Sequence, residues 1–272
     1  MFYVIQENLF KETHYDLLLK LMERHKFEYE IVKFLPFVDD IYEWYDPETV
    51  PKGFQPTPYR INKEKVFCFG AVAMATAAKN LGWRPGSQLN DNHDFNAYAP
   101  MYGLENMLNG DGHIINFTDP LPEGYEEFFA RPTKDSKVFA GQIFTKEAWE
   151  NYTKICNESD TVNIITEETQ VLVSPLKNIQ QEIRCWVVGG KVITASRYKL
   201  GHRVSYMNYD DEIFFTTFAQ EMVNKYQPAD AFVLDVCLTD DGLKIVEVNN
   251  INSAGFYHCN MEKLIEALEN FF

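Results

Sequence analysis

The sequence predicts a protein of the α/β (α+β) class, and three observations lead to this prediction. Short apolar runs alternate with helical patterns over residues 1–85, which is typical of an α/β unit. Beyond residue 125, longer apolar runs are joined by glycine and aspartate turns, which indicates β-hairpins. The composition, 46% hydrophobic and 15% aromatic, is that of a packed globular protein.

In the N-terminal third, strands and helices are predicted in alternation. Residues 2–5 form the first predicted strand, and apolar residues on one helical face predict a helix over residues 13–26. Strands are then predicted in EIVKFLPFV and KVFCFG, followed by a helix in the alanine-rich segment AVAMATAAKNLGW. The next connection is rich in Gly, Pro, Asn and Asp, and a short helix is expected near residues 101–108.

From residue 126 onwards, strands dominate the predicted structure. EEFFARP and KVFAGQIF are predicted strands, KEAWENYTKIC is a predicted helix, and QVLVSP is another strand. Two long hairpins are predicted in QEIRCWVVGGKVITASRY and AFVLDVCLTDDGLKIVEVN, with a helix over residues 212–226 between them. A last helix is expected over residues 261–270.

The charge balance limits the classes of partner. Lysine and arginine total 25, aspartate and glutamate total 40, and the net charge is −15. Such a surface repels phosphate backbones, so nucleic acid is a poor partner. An anionic small ligand would need a local basic cleft.

The cysteines and the apolar runs indicate a protein of the cytoplasm. The five cysteines are scattered and form no CxxC pair, which predicts buried free thiols in a reducing compartment. No apolar run approaches the ~20 residues of a membrane span, and the first residues lack the basic head of a signal peptide. We therefore expect a cytoplasmic location and no membrane partner.

The C-terminal hairpin carries the strongest functional signal. A three-residue loop centred on Asp241 places Asp235 directly opposite Glu247, with Asn249 two residues further along on the same face. Both faces of this hairpin are mostly apolar, so two adjacent carboxylates there need to be neutralised. Magnesium does this with oxygen ligands, commonly one or two carboxylates together with phosphate oxygens.

An alternative interpretation of these carboxylates stays open. They can be paired with Arg or Lys side chains elsewhere in the fold, or one of them can be protonated. A change of one residue in the loop length would also separate the pair, because side chains alternate between the two faces of a strand.

The preceding hairpin is basic on one face. Gly189-Gly190 predicts a two-residue turn, which places Glu182 opposite Arg197. The face predicted from this register carries Glu182, Arg184, Trp186, Arg197 and Lys199. Three cations on one face suit the binding of phosphate or carboxylate, and the alternative is a solvated sheet face with cross-strand ion pairs.

These segments together resemble the ATP-grasp superfamily. QEIRCWVVGGKVITASR is similar to that family's hairpin with an acidic residue, an Arg two positions on and a second Arg after a glycine turn. LDVCLTDDGLKIVEVNN looks like its metal hairpin, with Asp on one strand and Glu-x-Asn on the next. FFARP resembles the strand whose last polar residue contacts the nucleotide phosphates, and the whole pattern resembles a sub-clade of bacteria and their viruses with mostly unassigned substrates.

The resemblance implies a fold and a set of site residues. The implied fold is two α+β subdomains that clasp the nucleotide, preceded by a small α/β domain, with expected boundaries 1–92, 93–170 and 171–272. The implied magnesium ligands are Asp235, Glu247 and Asn249. The implied ATP contacts are Arg131, Lys137, Glu182 and the backbone of Leu172, Val173 and Ser174. The implied catalytic groups are Arg184, Arg197 and Lys199.

The implied activity is an ATP- and magnesium-dependent ligase that joins a carboxylate to an amine through an acylphosphate. The substrates would be small molecules or peptides, and the turn with Asn252, Ser253 and Gly255 would meet the acceptor unless it is an ordinary polar turn. Two alternatives remain, namely an ATP-binding module without ligase activity and a kinase that stops at phosphoryl transfer. The motifs GxxxxGK[ST], HExxH and GxSxG are absent from the sequence, which argues against P-loop, zinc-protease and α/β-hydrolase chemistry.

Overall fold

The computed structural model describes residues 1–8, 11–35, 38, 40–134, 138–158 and 165–272. Within these residues the strands form three sheets, of five, five and four strands. None of the helices in these parts of the chain combines the length and the apolar character needed to cross a membrane.

The first sheet is built by the N-terminal part of the chain. Its strands are β1 (Phe2–Gln6), β2 (Glu28–Leu35), β3 (Asp40–Glu43), β4 (Val66–Phe69) and β5 (Pro85–Gly86), in the order β3-β2-β1-β4-β5. Strand β1 is parallel to both β2 and β4, so the chain moves outward on one side of β1 and then returns to its other side. Helices α1 (Tyr15–His25) and α2 (Val72–Asn80) connect these strands, which confirms the predicted α/β alternation.

The second sheet follows, after a connection that contains helix α3 (Phe95–Tyr102). Its strands are β6 (His113–Asn116), β7 (Glu127–Pro132), β8 (Gln142–Thr145) and β9 (Gln170–Ser174), in the order β6-β9-β7-β8. Helix α4 (Lys146–Glu158) packs on it through the buried Trp149. Two predictions were wrong here, because α3 begins six residues before the expected helix and the expected strand KVFAGQIF is ordered as a strand only from Gln142.

The third sheet consists of the two predicted hairpins and one further strand. Its strands are β10 (Ile179–Val188), β11 (Lys191–Leu200), β12 (Arg203–Asn208), β13 (Ala231–Thr239) and β14 (Gly242–Asn250), in the order β12-β11-β10-β13-β14. Helix α5 (Ile213–Lys225) precedes β13, and helix α6 (Met261–Phe271) ends the chain. All neighbouring strands in this sheet are antiparallel.

Each face of the third sheet packs against a different core. On one face, Ile183, Cys185 and Leu234 belong to a buried cluster with residues of α3 and α5. On the other face, Trp186 and Val233 belong to a cluster with α6, α1 and the first sheet. The polar residues that follow along this second face are therefore held between well-packed layers. The domain ranges 1–92, 93–170 and 171–272 stay a prediction, although β9 joins the second sheet and α3 packs on the third.

Candidate active site

A cavity of about 780 Å³ lies between the second and third sheets. Its walls include β7, the segment before β8, the linker after β9, and parts of β10, β11 and β14. The charged side chains that line it are Arg131, Lys134, Lys177, Lys199, Glu182 and Glu247. Four cations face two carboxylates, in a chain whose net charge is −15. The cavity is thus the kind of local basic cleft that an anionic ligand requires.

The predicted metal-binding residues come together at one end of this cavity. Asp235 and Glu247 are register partners on β13 and β14. Asn249 donates from Nδ2 to Asp235 Oδ2 at 3.2 Å and to Glu247 Oε1 at 3.0 Å. Only Glu247 of the three lines the cavity, whereas Asp235 and Asn249 are buried behind it. The prediction that these three polar groups converge is confirmed in position.

Two arginines from different strands neutralise the two carboxylates. Arg184 on β10 donates to Asp235 through Nε at 2.9 Å and Nη2 at 2.7 Å, and both side chains are buried. Arg131 on β7 forms an ion pair with Glu247, with 2.9 Å between Nη1 and Oε2. The second pair joins the second sheet to the third sheet. The interpretation that these carboxylates pair with arginines is therefore correct for this structure.

The electrostatics of the buried pair are finely balanced. Burial raises the pKa of Asp235, and the neighbouring carboxylates Glu247 and Glu182 raise it further, against the lowering effect of Arg184. Burial lowers the pKa of Arg184, but the charge of Asp235 outweighs it and the net shift is upward. Asp235 thus lies in a position where additional positive charge is stabilising.

A bulge in β14 brings two consecutive residues to the cavity. Near the turn the hairpin pairs Thr239 with Gly242, so its loop has two residues and not the predicted three. A register shift between Asp235 and Val236 then inserts one extra residue into β14, which restores the pairing of Asp235 with Glu247. Val246 and Glu247 both line the cavity as a result. Bulges of this kind often re-aim side chains next to active sites.

The basic hairpin contains two such shifts, and they make its predicted register wrong. The turn at Gly189-Gly190 is as predicted, but shifts after Val187 and Ile183 move Arg197 opposite Ile183 and Lys199 opposite Glu182. Tyr198 and Lys199 therefore both line the cavity. Glu182 accepts a hydrogen bond from the Tyr198 hydroxyl at 2.7 Å and pairs with Lys199 at 2.8 Å.

Arg197 does not take part in this arrangement. Its side chain lies on the other face of the sheet, where Nη1 donates to the Tyr209 hydroxyl and Nη2 to Ser205 Oγ, both at 2.9 Å. Tyr209 belongs to the core cluster around α5. The structure therefore places the predicted catalytic Arg197 away from the cavity and brings Tyr198 there. No feature of the sequence marked Tyr198, because a bulge in a regular apolar strand has no distinctive residue pattern.

The remaining predicted nucleotide contacts are placed differently. Leu172, Val173 and Ser174 lie in β9, where Leu172 and Val173 pair with both β6 and β7 and Ser174 pairs with β7. None of the three lines the cavity, and the linker that does so begins at Pro175. Strand β9 extends further than expected, so the segment between the sheets shifts toward residues 175–179. Lys137 lies outside the described residues.

The turn after β14 is also structural in part. Asn252 is buried and donates from Nδ2 to the carbonyls of Cys68 and Gly86, while its Oδ1 accepts from Gln88 N. It fastens the first sheet to the end of β14 and does not face the large cavity. Gly255 is nearer to the charged groups, since its carbonyl accepts a hydrogen bond from Arg184 Nη1 at 3.4 Å.

The donor set at the end of the cavity fits magnesium. Two carboxylates and one amide offer only oxygen ligands, which hard divalent cations prefer. The amide of Asn249 now presents Nδ2 to both carboxylates, and a rotation about its last torsion would present Oδ1 instead. The excess negative charge around Asp235 gives such a cation a favourable position.

The fold and this cavity define an ATP-grasp protein. The structure is similar to the D-alanine–D-alanine ligase from Coxiella burnetii, with a TM-score of 0.64, 13% identity, and coverage of 100% of this chain and 94% of that chain. It is also similar to the D-cycloserine synthetase DcsG, with a TM-score of 0.62, 12% identity and full coverage of both chains. A third similar structure is the ATP-grasp ligase PsnB complexed with a phosphomimetic variant of its minimal precursor, Mg and ADP, with a TM-score of 0.51, 12% identity, and coverage of 99% and 97%.

The sequence identifies the family more closely. A family model described as an ATP-grasp domain, family 3 of its clade, matches residues 47–268, so the chain belongs to this ATP-grasp family. A search of curated proteins found no significant match. The predicted membership of the ATP-grasp superfamily and the predicted fold are confirmed, while identities of 12–13% show the fold alone.

Proposed function

We propose that this protein is an ATP- and magnesium-dependent carboxylate–amine ligase that works through an acylphosphate. The observation that carries the proposal is the basic cavity that ends at Asp235, Glu247 and Asn249, with an arginine on each carboxylate. The similar structures named above are called ligases or a synthetase, and one of them contains Mg and ADP. These names support the class of reaction for this chain.

The cavity offers a place for each part of ATP. Leu176 and Ile179 in the linker offer apolar surface and backbone groups for adenine. Glu182 offers carboxylate oxygens to the ribose hydroxyls, and Lys199 and Arg131 offer positive charge to the phosphates. Magnesium held by Asp235, Glu247 and Asn249 would supply further positive charge to the phosphate oxygens.

The ion pair between Arg131 and Glu247 suggests how the empty site is kept stable. Without a nucleotide, each of these side chains neutralises the other across the two sheets. Phosphate oxygens compete with Glu247 for the guanidinium of Arg131, which leaves the carboxylate free for the cation. Binding of ATP with magnesium therefore exchanges one set of charge pairs for another, and no charge is left unpaired in the cavity.

The proposed chemistry has two steps. A carboxylate oxygen of the first substrate attacks the γ-phosphorus, the bond from this phosphorus to the bridging oxygen breaks, and ADP leaves. The nitrogen lone pair of the amine then attacks the acyl carbon, the nitrogen loses a proton, and inorganic phosphate leaves. Lys199 and Arg131 line the cavity where negative charge develops, and such preorganised cations stabilise the transition state.

A screen for ADP release tests this proposal. The wild-type protein is mixed with ATP, magnesium and pairs drawn from a panel of carboxylates and amines, and ADP and phosphate are quantified. A ligase releases both only when a suitable pair is present. A stable phosphorylated product seen by phosphorus NMR would instead identify a kinase. Binding of ATP without turnover across the panel would identify a nucleotide-binding module.

A further inference from the structure

A second cavity lies at the carboxyl ends of β1 and β4, in the first sheet. Strands β2 and β4 lie on opposite sides of β1 and both run parallel to it, so the strand order reverses between β1 and β4. In open α/β sheets, ligands bind in the crevice at such a reversal. The cavity here has a volume of about 180 Å³ and is formed by the loops after β1, β4 and β14. That volume is below the ~300–1,000 Å³ of pockets for drug-sized ligands, and it suits a very small molecule.

One side of this crevice offers hydrogen-bond donors. Gln6 lines it and is only 6% exposed, and its Oε1 accepts a hydrogen bond from Ala71 N at 2.8 Å. The Nε2 group of Gln6 has no hydrogen-bond partner among the described residues. Helix α2 begins beside it at Val72, with no acidic residue in its first turn and no side-chain cap from the described residues. The first N–H groups of a helix and its dipole attract carboxylates.

The other side of the crevice offers a carboxylate. Glu12 Oε1 accepts a hydrogen bond from Phe256 N at 2.9 Å, and within the described parts of the chain Oε2 has no partner. Glu7 also lines the crevice, but Lys33 neutralises it at 2.7 Å. Glu12 is therefore the group that can bind a cation. Its side chain packs beside Gly255, whose carbonyl contacts Arg184, so this side adjoins the buried Arg184–Asp235 pair.

We propose that this crevice binds a small α-amino acid, with its carboxylate at Gln6 and the start of α2 and its ammonium group at Glu12. The opposite charges of the two walls match those of a zwitterion, and the small volume limits the side chain. This orientation directs the amine toward the end of β14, where the proposed acylphosphate forms. The role of the amino acid as the amine substrate rests on the proposed ligase function, but its binding does not.

The test measures binding to the intact protein by ligand-observed NMR titration, first without nucleotide and then with magnesium and ADP. The probes are glycine, L-alanine and D-alanine, with propionate and ethylamine as controls that each carry one of the two charges. We expect at least one amino acid to bind about tenfold more tightly than either control, because each charged contact accounts for about tenfold in affinity. The opposite result, in which no amino acid binds under either condition or the controls bind equally well, overturns the proposal.

Two variants locate the site. Glu12→Gln removes the carboxylate, and Val72→Asp adds a repelling charge to the first turn of α2, where an acidic residue also stabilises a helix. Each should weaken amino-acid binding about tenfold or more, whereas Glu23→Gln on exposed α1 and the uncharged Val72→Asn should not. Binding that both charged variants leave unchanged would place the amino acid elsewhere. Amino-acid binding without ADP release would contradict the ligase function alone.

Discussion

Arg184 and Asp235 form two parallel hydrogen bonds across the neighbouring strands β10 and β13, at 2.9 and 2.7 Å. The two residues are direct register partners, and they are 7% and 1% exposed. The rings of Tyr198 and Tyr257 lie 5.7 and 4.8 Å from the guanidinium carbon, which closes the pair off from water. This pair supports the cavity from behind, so its structural and functional roles need to be separated.

Removal of one partner should destabilise the protein strongly. Arg184→Met leaves the carboxylate of Asp235 buried without its cation, and we expect a loss of about 3–5 kcal/mol in the free energy of unfolding. The double variant Arg184→Met/Asp235→Leu should recover most of this loss, because a buried pair can be replaced by apolar groups. Urea unfolding of both variants measures the difference. Equal stability of the single and double variants would contradict the assigned pairing.

The two basic residues of β11 should respond differently to substitution. Lys199 lines the cavity and Arg197 contacts Tyr209 on the opposite face. Lys199→Met should raise the KM for ATP, or the Kd, by about tenfold or more, since it removes a cation near the phosphates. Arg197→Met should leave nucleotide affinity unchanged and lower the free energy of unfolding by about 1–3 kcal/mol, through the hydroxyl partners it leaves unpaired.

Calorimetric titration with ATP, together with urea unfolding, measures both effects. The two variants carry the same change of side chain at residues two apart on one strand, so each serves as the control for the other. Weaker nucleotide binding in Arg197→Met at unchanged stability would show that the register found here is wrong.

Stability at low pH should depend on Asp210. Burial raises the pKa of this carboxyl, but hydrogen bonds from Lys263, Thr194 and the Ala195 N–H outweigh it and the net shift is below 3.8. Because the folded pKa is lower than the unfolded one, the stabilisation is present above about pH 4. It is lost as the pH falls through the lowered folded pKa.

The comparison with Asp210→Asn isolates this contribution. At pH 7 the variant should be less stable than the wild type by about 1–3 kcal/mol, since it loses charged hydrogen bonds. The difference should shrink as the pH falls from 4 toward 2. Unfolding curves at several pH values measure it, and a difference that stays constant with pH would rule out ionised Asp210 as its source.

Much of the fold follows from local patterns. The alternation of strands and helices in the first sheet and the two long hairpins were predictable, because each depends on residues close in sequence. The facing of Asp235 and Glu247 was predicted with a loop one residue too long, and the bulge at Val246 compensates for this difference. The agreement at this pair therefore depends on two features that the pattern did not distinguish.

The rest of the site depends on contacts that sequence patterns do not encode. The same type of bulge in β11 moved Arg197 out of the cavity and Tyr198 into it. The ion pair between Arg131 and Glu247 joins two sheets whose relative position is set by packing across the whole chain. The crevice at Gln6 and Glu12 combines loops more than two hundred residues apart, so no local motif marks it.

The most direct test of the account is calorimetric titration with ATP, with and without magnesium, for the wild type and Glu247→Gln. Asp241→Asn, in the exposed turn of the same hairpin, is the matched control. The account predicts that the wild type and the control bind ATP with a clear dependence on magnesium, and that Glu247→Gln loses this dependence. If the wild type binds no ATP, or if Glu247→Gln keeps the same magnesium dependence, then Asp235, Glu247 and Asn249 do not form a metal site and the proposed ligase function fails.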